Sequence, residues 1–410
     1  LHQDVLETVA IVLSFPLRKR YNIFQHHHCK EPHMKRFLLI PDSFKGTMSS
    51  AEICAIVETG IKTHYPDAQV RSIPVADGGE GSVDAFLQAL GGEKKHLTVQ
   101  GPFGKAMESF YGVLPGDVAV IEMAACAGLP LVGDTLRPDL TTTYGVGELI
   151  LAAAKAGCKR IIVGLGGSAT NDGGCGAAAA CGVTFRDKEG NAFIPTGGTL
   201  NQVVSIDTST RNPILDRVTI TTMCDIDNPF YGETGAAYIF GPQKGADPEM
   251  VKRLDANLRS LAEVIASDIG IDVQAIPGSG AAGGMGGGMA AYFDSELQMG
   301  IETVLDAVHF DGLLKETDMV ITGEGKIDGQ SLRGKVVIGV GRRTKKSGVP
   351  VIALVGDIAD DADGAYEEGV SAIFSINRLA IPFKEAKLRA KTDLLKTVDN
   401  LARFLKTMKW

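Results

Sequence analysis

No apolar stretch in the 410 residues reaches the roughly 18 needed to cross a bilayer as a helix. Cationic residues are also in deficit: 41 Lys and Arg stand against 49 Asp and Glu, a formal net charge of −8. That balance argues against nucleic acid or an anionic membrane as the main partner. No C-x-x-C pair occurs. The seven cysteines (Cys29, Cys54, Cys126, Cys158, Cys175, Cys181 and Cys224) are odd in number and scattered, most of them within apolar or small-residue runs. They read as free thiols in a reducing, cytoplasmic compartment, with no support for a structural zinc site. The phosphate loop G-x-x-x-x-G-K-[ST] is missing too, which excludes a standard P-loop enzyme.

Glycine is in excess. Fifty of 410 residues is about 12%, against an average near 7%. The glycines are clustered rather than periodic, which excludes collagen-like and solenoid folds. The densest cluster, "IIVGLGGSATNDGGCGAAAACG" at 161–182, raises the question of what its backbone must approach so closely.

Residues 1–33 read as an irregular leader outside the fold; "VAIVLSFPL" is too short to span, and "HHH" at 26–28 reads as solvated. From Met34 onward, "KRFLLIPDS" and "AQVRSIPVADGGEG" read as strands, each followed by a helical pattern. The last third alternates in the same way, through "DMVITGEG", "GKVVIGVGRRTKKSG", "VPVIALVG", "VSAIFSI" and a long terminal helix. "DMVITGEG" is read as a strand entering a turn, and "AAYIFGP" as a strand. The expected fold is α/β: a Rossmann-like parallel sheet built from both chain ends (34–75 and 295–410), with a second α/β domain inserted at 76–294.

Five segments sit where such sheets bind ligands, beyond strand carboxyl ends: "PDSFKG", "ADGGEG", "GLGGSATNDGG", "CDIDNP" and "TGEGKID". Glycine lets backbone amides come close to an anion, and a following helix N-terminus adds its positive end. "GLGGSATNDGG" before an Ala-rich helix therefore predicts a phosphate or substrate carboxylate at this backbone. The carboxylates Asp42, Asp77, Glu80, Asp172, Asp225, Asp227, Glu324 and Asp328 call for a divalent cation or a proton to abstract. Lys45, Lys244, Lys326 and Lys335 are the candidate cations for a transferring phosphoryl group. Any single Asp-Gly pair is more often a turn; five alike segments are harder to dismiss. A G-x-G-x-x-G at Gly278, Gly280 and Gly283 is weak alone. It reads as a glycine hinge whose amides are open to a nucleotide, and it keeps an NAD-dependent dehydrogenase of small hydroxy acids as the alternative reading. A non-catalytic binding protein for small hydroxy acids is a third.

Nine motifs, in order from about Met34 to the C-terminus, resemble the bacterial glycerate kinase type 1 family: "PDSFKG", "PVADGGEGSVDAF", "IEMAACAGL", "TTTYGVGELI", "GGSATNDGG", "CDIDNP", "FGPQKGA", "GSGAAGGMGGG" and "TGEGKID". The resemblance implies ATP- and Mg2+-dependent phosphorylation of D-glycerate to 2-phosphoglycerate or 3-phosphoglycerate, in a cleft between two α/β domains. On that basis Gly166, Gly167, Ser168, Asn171, Lys244, Gly283, Glu324 and Lys335 are expected to bind nucleotide or substrate. Mg2+ is expected on one or two of Asp172, Asp225 and Asp227. Lys45 is expected to neutralise the glycerate carboxylate or the moving phosphoryl group. Asp77, with Asp42 second, is expected to accept the hydroxyl proton. The sequence carries no signal for oligomeric state.

Overall fold

The structure is a computed structural model that describes residues 36–75, 78–329 and 331–408; the leader and Asp77 lie outside the described residues. One sheet has five strands in the order Ala372–Ser375, Val351–Ile358, Met319–Ile327, Arg36–Pro41, Gln69–Ser72. All four pairings are parallel. Apolar runs such as "FLLIP" and "VIALV" are buried along their length, as a parallel sheet covered on both faces requires. Both chain ends supply its strands, as the sequence predicts.

The outer face of this sheet packs on the helices Ser50–His64 and Phe383–Thr407, through Ile53, Val57 and Ile61 on one and Leu394 and Val398 on the other. Ser49 starts the first of these helices with a reciprocal capping box to Glu52. Ser50 Oγ then donates to Pro41 O and accepts from Val75 N, tying that helix start to the ends of two strands.

The second sheet has six strands from the middle of the chain: Glu296–Gln298, Thr219–Met223, Arg160–Gly164, Val118–Glu122, Ala106–Leu114 and Glu93–Gln100. The first four run parallel and the last two continue as an antiparallel meander. Helices Tyr144–Lys155, Cys175–Ala180 and Ala281–Phe293 cover one face with Leu149, Ile150, Ala177 and Met285. A shared apolar layer joins Leu38, Ile40 and Val320 of the first sheet to Val120, Ile162 and Met223 of the second.

Two local expectations are corrected. "AAYIF" is a helix, Ala236–Phe240, not a strand. A five-residue apolar run does not distinguish the two, and here Gly235 and the turn before it start a helix. "TGEGKI" is not a turn: the strand Met319–Ile327 runs through it, and the chain turns only at Asp328. This places Glu324 inside a strand, which bears directly on its chemistry.

Candidate functional site

Beyond the carboxyl ends of both parallel sheets lies a cavity of about 870 Å3. Asp42, Glu324, Gly356, Asp357 and Asn377 reach it from the first sheet, and Leu165 to Ser168 and Met223 to Ile226 from the second. The C-terminal helix adds Lys387. Five lysines (Lys45, Lys244, Lys326, Lys335, Lys387) and four carboxylates (Asp42, Asp225, Glu324, Asp357) line the wall. Lysines spaced around a cavity with interleaved acids suit a polyanion that brings a cation with it.

Lys244 is the least expected of these, because it is only 2% exposed. The helix Ala236–Phe240 runs into the short turn Pro242–Lys244, which sends the ammonium inward. Its Nζ donates to Ser168 Oγ (2.8 Å) and Thr170 O (2.6 Å). Burial pushes its pKa down to about 7, against a smaller upward pull from Asp172.

Glycines of the 161–182 cluster mostly serve the chain itself. A Cβ at Gly164 or Gly166 would strike the backbone of Gly78 and Gly79, and one at Gly174 or Gly288 would crowd the other glycine's backbone. The Gly166 amide is already given to Gly78 O at 3.1 Å. Gly167, with φ 73°, and Ser168 do face the cavity, and among the described residues their amides donate to no carbonyl. The close approach predicted for an external anion is thus largely backbone against backbone. The nest narrows to Gly167 and Ser168.

Asp172 does not reach the cavity. It is fully buried and accepts from Thr143 N (2.7 Å), Thr143 Oγ1 (2.9 Å), Gly174 N (3.2 Å) and Gly176 N (3.2 Å). The start of the helix Cys175–Ala180 is therefore filled by the chain's own carboxylate, not by a ligand. Burial raises the Asp172 pKa and these four donors pull it back. Asn171 is equally buried and is not on the cavity wall. Gly283, φ 69°, packs on Thr170 O and Asn171 Cα, so its role is to let two loops touch. Asp227 points outward, 3.4 Å from Arg333 Nη1, and Glu80 is exposed and off the cavity.

Asp225 does line the cavity, and it accepts from Gly300 N at 2.6 Å, capping the helix Gly300–Ala307. Among the described residues no three His, Cys, Asp or Glu side chains converge as a metal cage. The donor set still fits an ion such as Mg2+, which takes one or two carboxylates and fills its shell with phosphate oxygens and water.

Glu324 is 4% exposed, lines the cavity, and its Oε1 has no hydrogen-bond partner among the described residues. Burial pushes its pKa up to about 7, opposed by Ser331 and Lys335 and reinforced by Asp42 and Asp328. Lys335 stands at the start of the helix Val336–Lys345, whose N-terminal turn adds its partial positive charge to the wall.

Sequence reasoning missed Asp357 and Lys387. "VIALVGD" carries the same signal as the five segments, an apolar run into glycine and an acid. Lys387 carries none: on a lysine-rich amphipathic helix, only the packing shows which lysine turns inward.

Comparisons with known proteins place the chain in a family. The family model described as the glycerate kinase family matches residues 37–406. A glycerate kinase of Bacillus subtilis (strain 168) is 42% identical over 376 residues, 91% of this chain and 98% of that protein. A glycerate 2-kinase of Escherichia coli (strain K12) is 43% identical over 372 residues, 90% and 98% of the two chains. The crystal structure of a candidate glycerate kinase 2 from Salmonella typhimurium LT2 superposes with a TM-score of 0.80 at 41% identity, covering 91% and 98%.

Proposed function

The chain belongs to the glycerate kinase family, and from that premise we propose that it transfers the γ-phosphoryl group of ATP to D-glycerate, with Mg2+, giving 2-phosphoglycerate. The observation that carries this reading is the lysine-lined cavity at the facing carboxyl ends of two parallel sheets. The glycerate 2-kinase name of the Escherichia coli relative favours the 2-phosphate, and the nine ordered motifs favour the type 1 group. The two sheets support a division into an end-built and an inserted domain. The pairing of Glu296–Gln298 in the six-stranded sheet favours a second boundary a few residues after 294. Six buried free cysteines suit a reducing cytoplasm.

In this reading the amides of Gly167 and Ser168, the Ser168 hydroxyl and the Lys244 ammonium hold the terminal phosphates. They offer charge where the transferring group gathers it. Lys45 and Lys335, with the first amides of the helix Val336–Lys345, neutralise the glycerate carboxylate or the moving phosphoryl group. Asp225 supplies a carboxylate to Mg2+; when bound, that ion offsets charge on the β and γ phosphates. Apolar walls from Ile301, Val336 and Phe383 limit the water that would otherwise compete as acceptor.

The test is a coupled assay. ADP release should require both D-glycerate and Mg2+, and phosphorus NMR should show a 2-phosphate monoester. Tight NAD(H) binding without ADP release would instead favour the dehydrogenase.

A further inference from the structure

Two buried carboxylates in this fold are treated in opposite ways. Asp172, off the cavity, receives four hydrogen bonds, with at least one on each oxygen. Glu324, on the cavity wall, has one closed-in oxygen, Oε1, with no hydrogen-bond partner among the described residues. A buried acceptor left unpaired is costly, and a fold retains one mainly where something else supplies the donor. Glu324 as a residue lines the cavity, so a ligand there is the nearest source of a donor for its carboxyl group.

Its surroundings specify that donor. Alternation along Met319–Ile327 puts Glu324 on the same face as Lys326, and both reach the cavity. Asp42 adjoins it from the strand on one side, and Asp357 and Gly356 from the strand on the other. Lys335 and Ser331 approach from the segment before the next helix, Asp328 from the turn, and Lys45 from the loop backing Gly325. Lysines here match a small carboxylate ligand, and its neighbouring hydroxyl is a donor for the Glu324 carboxyl group.

We infer that Glu324 is the general base that takes the proton of the acceptor hydroxyl, a role that sequence reasoning gives first to Asp77. This rests on the glycerate kinase reading. In the step, the glycerate O–H proton passes to the Glu324 carboxylate as the hydroxyl oxygen bonds to the γ-phosphorus. The bond from that phosphorus to the β–γ bridging oxygen breaks, and ADP leaves with that electron pair. Glu324 then loses its proton to solvent before the next turnover. A carboxyl that titrates near neutrality is suited to the task, because it is ionised at working pH yet basic enough to hold a proton.

The test combines a pH profile with three variants. For the wild type, kcat/KM for D-glycerate should rise with pH through an apparent pKa of about 7, as Glu324 of the free enzyme ionises. Glu324→Gln should lower kcat by about 100-fold or more and abolish that limb, while the dissociation constant for ATP stays within about threefold. Glu324→Asp should lower kcat less and keep the limb. Wild-type activity without a limb near neutrality, a Glu324→Gln loss below threefold, or loss of the limb in Asp77→Asn but not in Glu324→Gln would each overturn the assignment. If Glu324→Gln does not fold, the wild-type profile and Glu324→Asp decide it. No D-glycerate-dependent ADP release by the wild type would instead overturn the kinase reading beneath it.

Discussion

Replacing Lys244 by Met is expected to lower kcat/KM for ATP by about 100-fold or more, while the protein stays folded. The two halves of that expectation have one cause. A fully buried ammonium held by a hydroxyl and a carbonyl, with no carboxylate hydrogen-bonded to it, carries a large desolvation cost. Methionine has similar volume and no charge, so the lost hydrogen bonds to Ser168 and Thr170 are offset by removing that cost. Stability should change by no more than about 2 kcal/mol. The triphosphate loses a cation that lies deep in the wall beside Ser168, and transfer loses it where charge builds up.

The pH dependence has a definite sign. The folded pKa of Lys244 lies below its unfolded value, so between about 7 and the ordinary lysine range the unfolded chain binds more protons. Stability from this group therefore rises with pH through that window and is flat below it. Lys244→Met should remove that slope. For catalysis the sign reverses, because only the protonated amine attracts phosphate: affinity for ATP should weaken as pH climbs above about 7. With Glu324 losing its proton over the same region, kcat/KM should be bell-shaped with a maximum near neutrality. Lys244→Met removes the alkaline limb. Stopped measurements of ADP release across pH 5.5–9, an experimental window of roughly this width, check both limbs.

Gly283→Ala is expected to act on stability rather than on nucleotide specificity. The position has φ 69°, a left-handed conformation that L side chains rarely adopt. A Cβ there would overlap Thr170 O and Asn171 Cα, and those atoms belong to the loop that carries Ser168 and receives Lys244. Strain and overlap together should cost at least about 3 kcal/mol and lower the melting temperature by about 5 °C or more. A thermal melt reads this directly. A dehydrogenase would instead require Gly283 to face a dinucleotide. A variant with unchanged melting and selective loss of NAD(H) binding would restore that reading.

The general architecture was legible because its signals are local and repeated. Apolar runs ending in glycine and acid, separated by helical spacing, specify parallel strands whose loops share one edge, and Asp42, Lys45, Ser168, Asp225, Glu324 and Lys335 do meet there. What was not legible is which way a residue turns. "GGSATNDGG" reads as one anion nest, yet Ser168 faces the cavity while Asp172, four residues on, is closed in by Thr143 and two amides. Thr143 is distant in sequence, and nothing local announces it. The glycines misled for a related reason: a chain's own backbone is as demanding a neighbour as a phosphate, and the sequence pattern is the same for both. Lys244 shows the opposite case, where a residue that usually stays wet is drawn inside by a turn after an unrecognised helix.

The most direct measurement is a crystal structure with D-glycerate, Mg2+ and a non-hydrolysable ATP analogue. The account predicts the terminal phosphate within hydrogen-bond reach of Lys244 Nζ and Ser168, with the glycerate hydroxyl between it and Glu324. A triphosphate seated away from Lys244 and Ser168, or glycerate bound outside the cavity at the sheet ends, would contradict it.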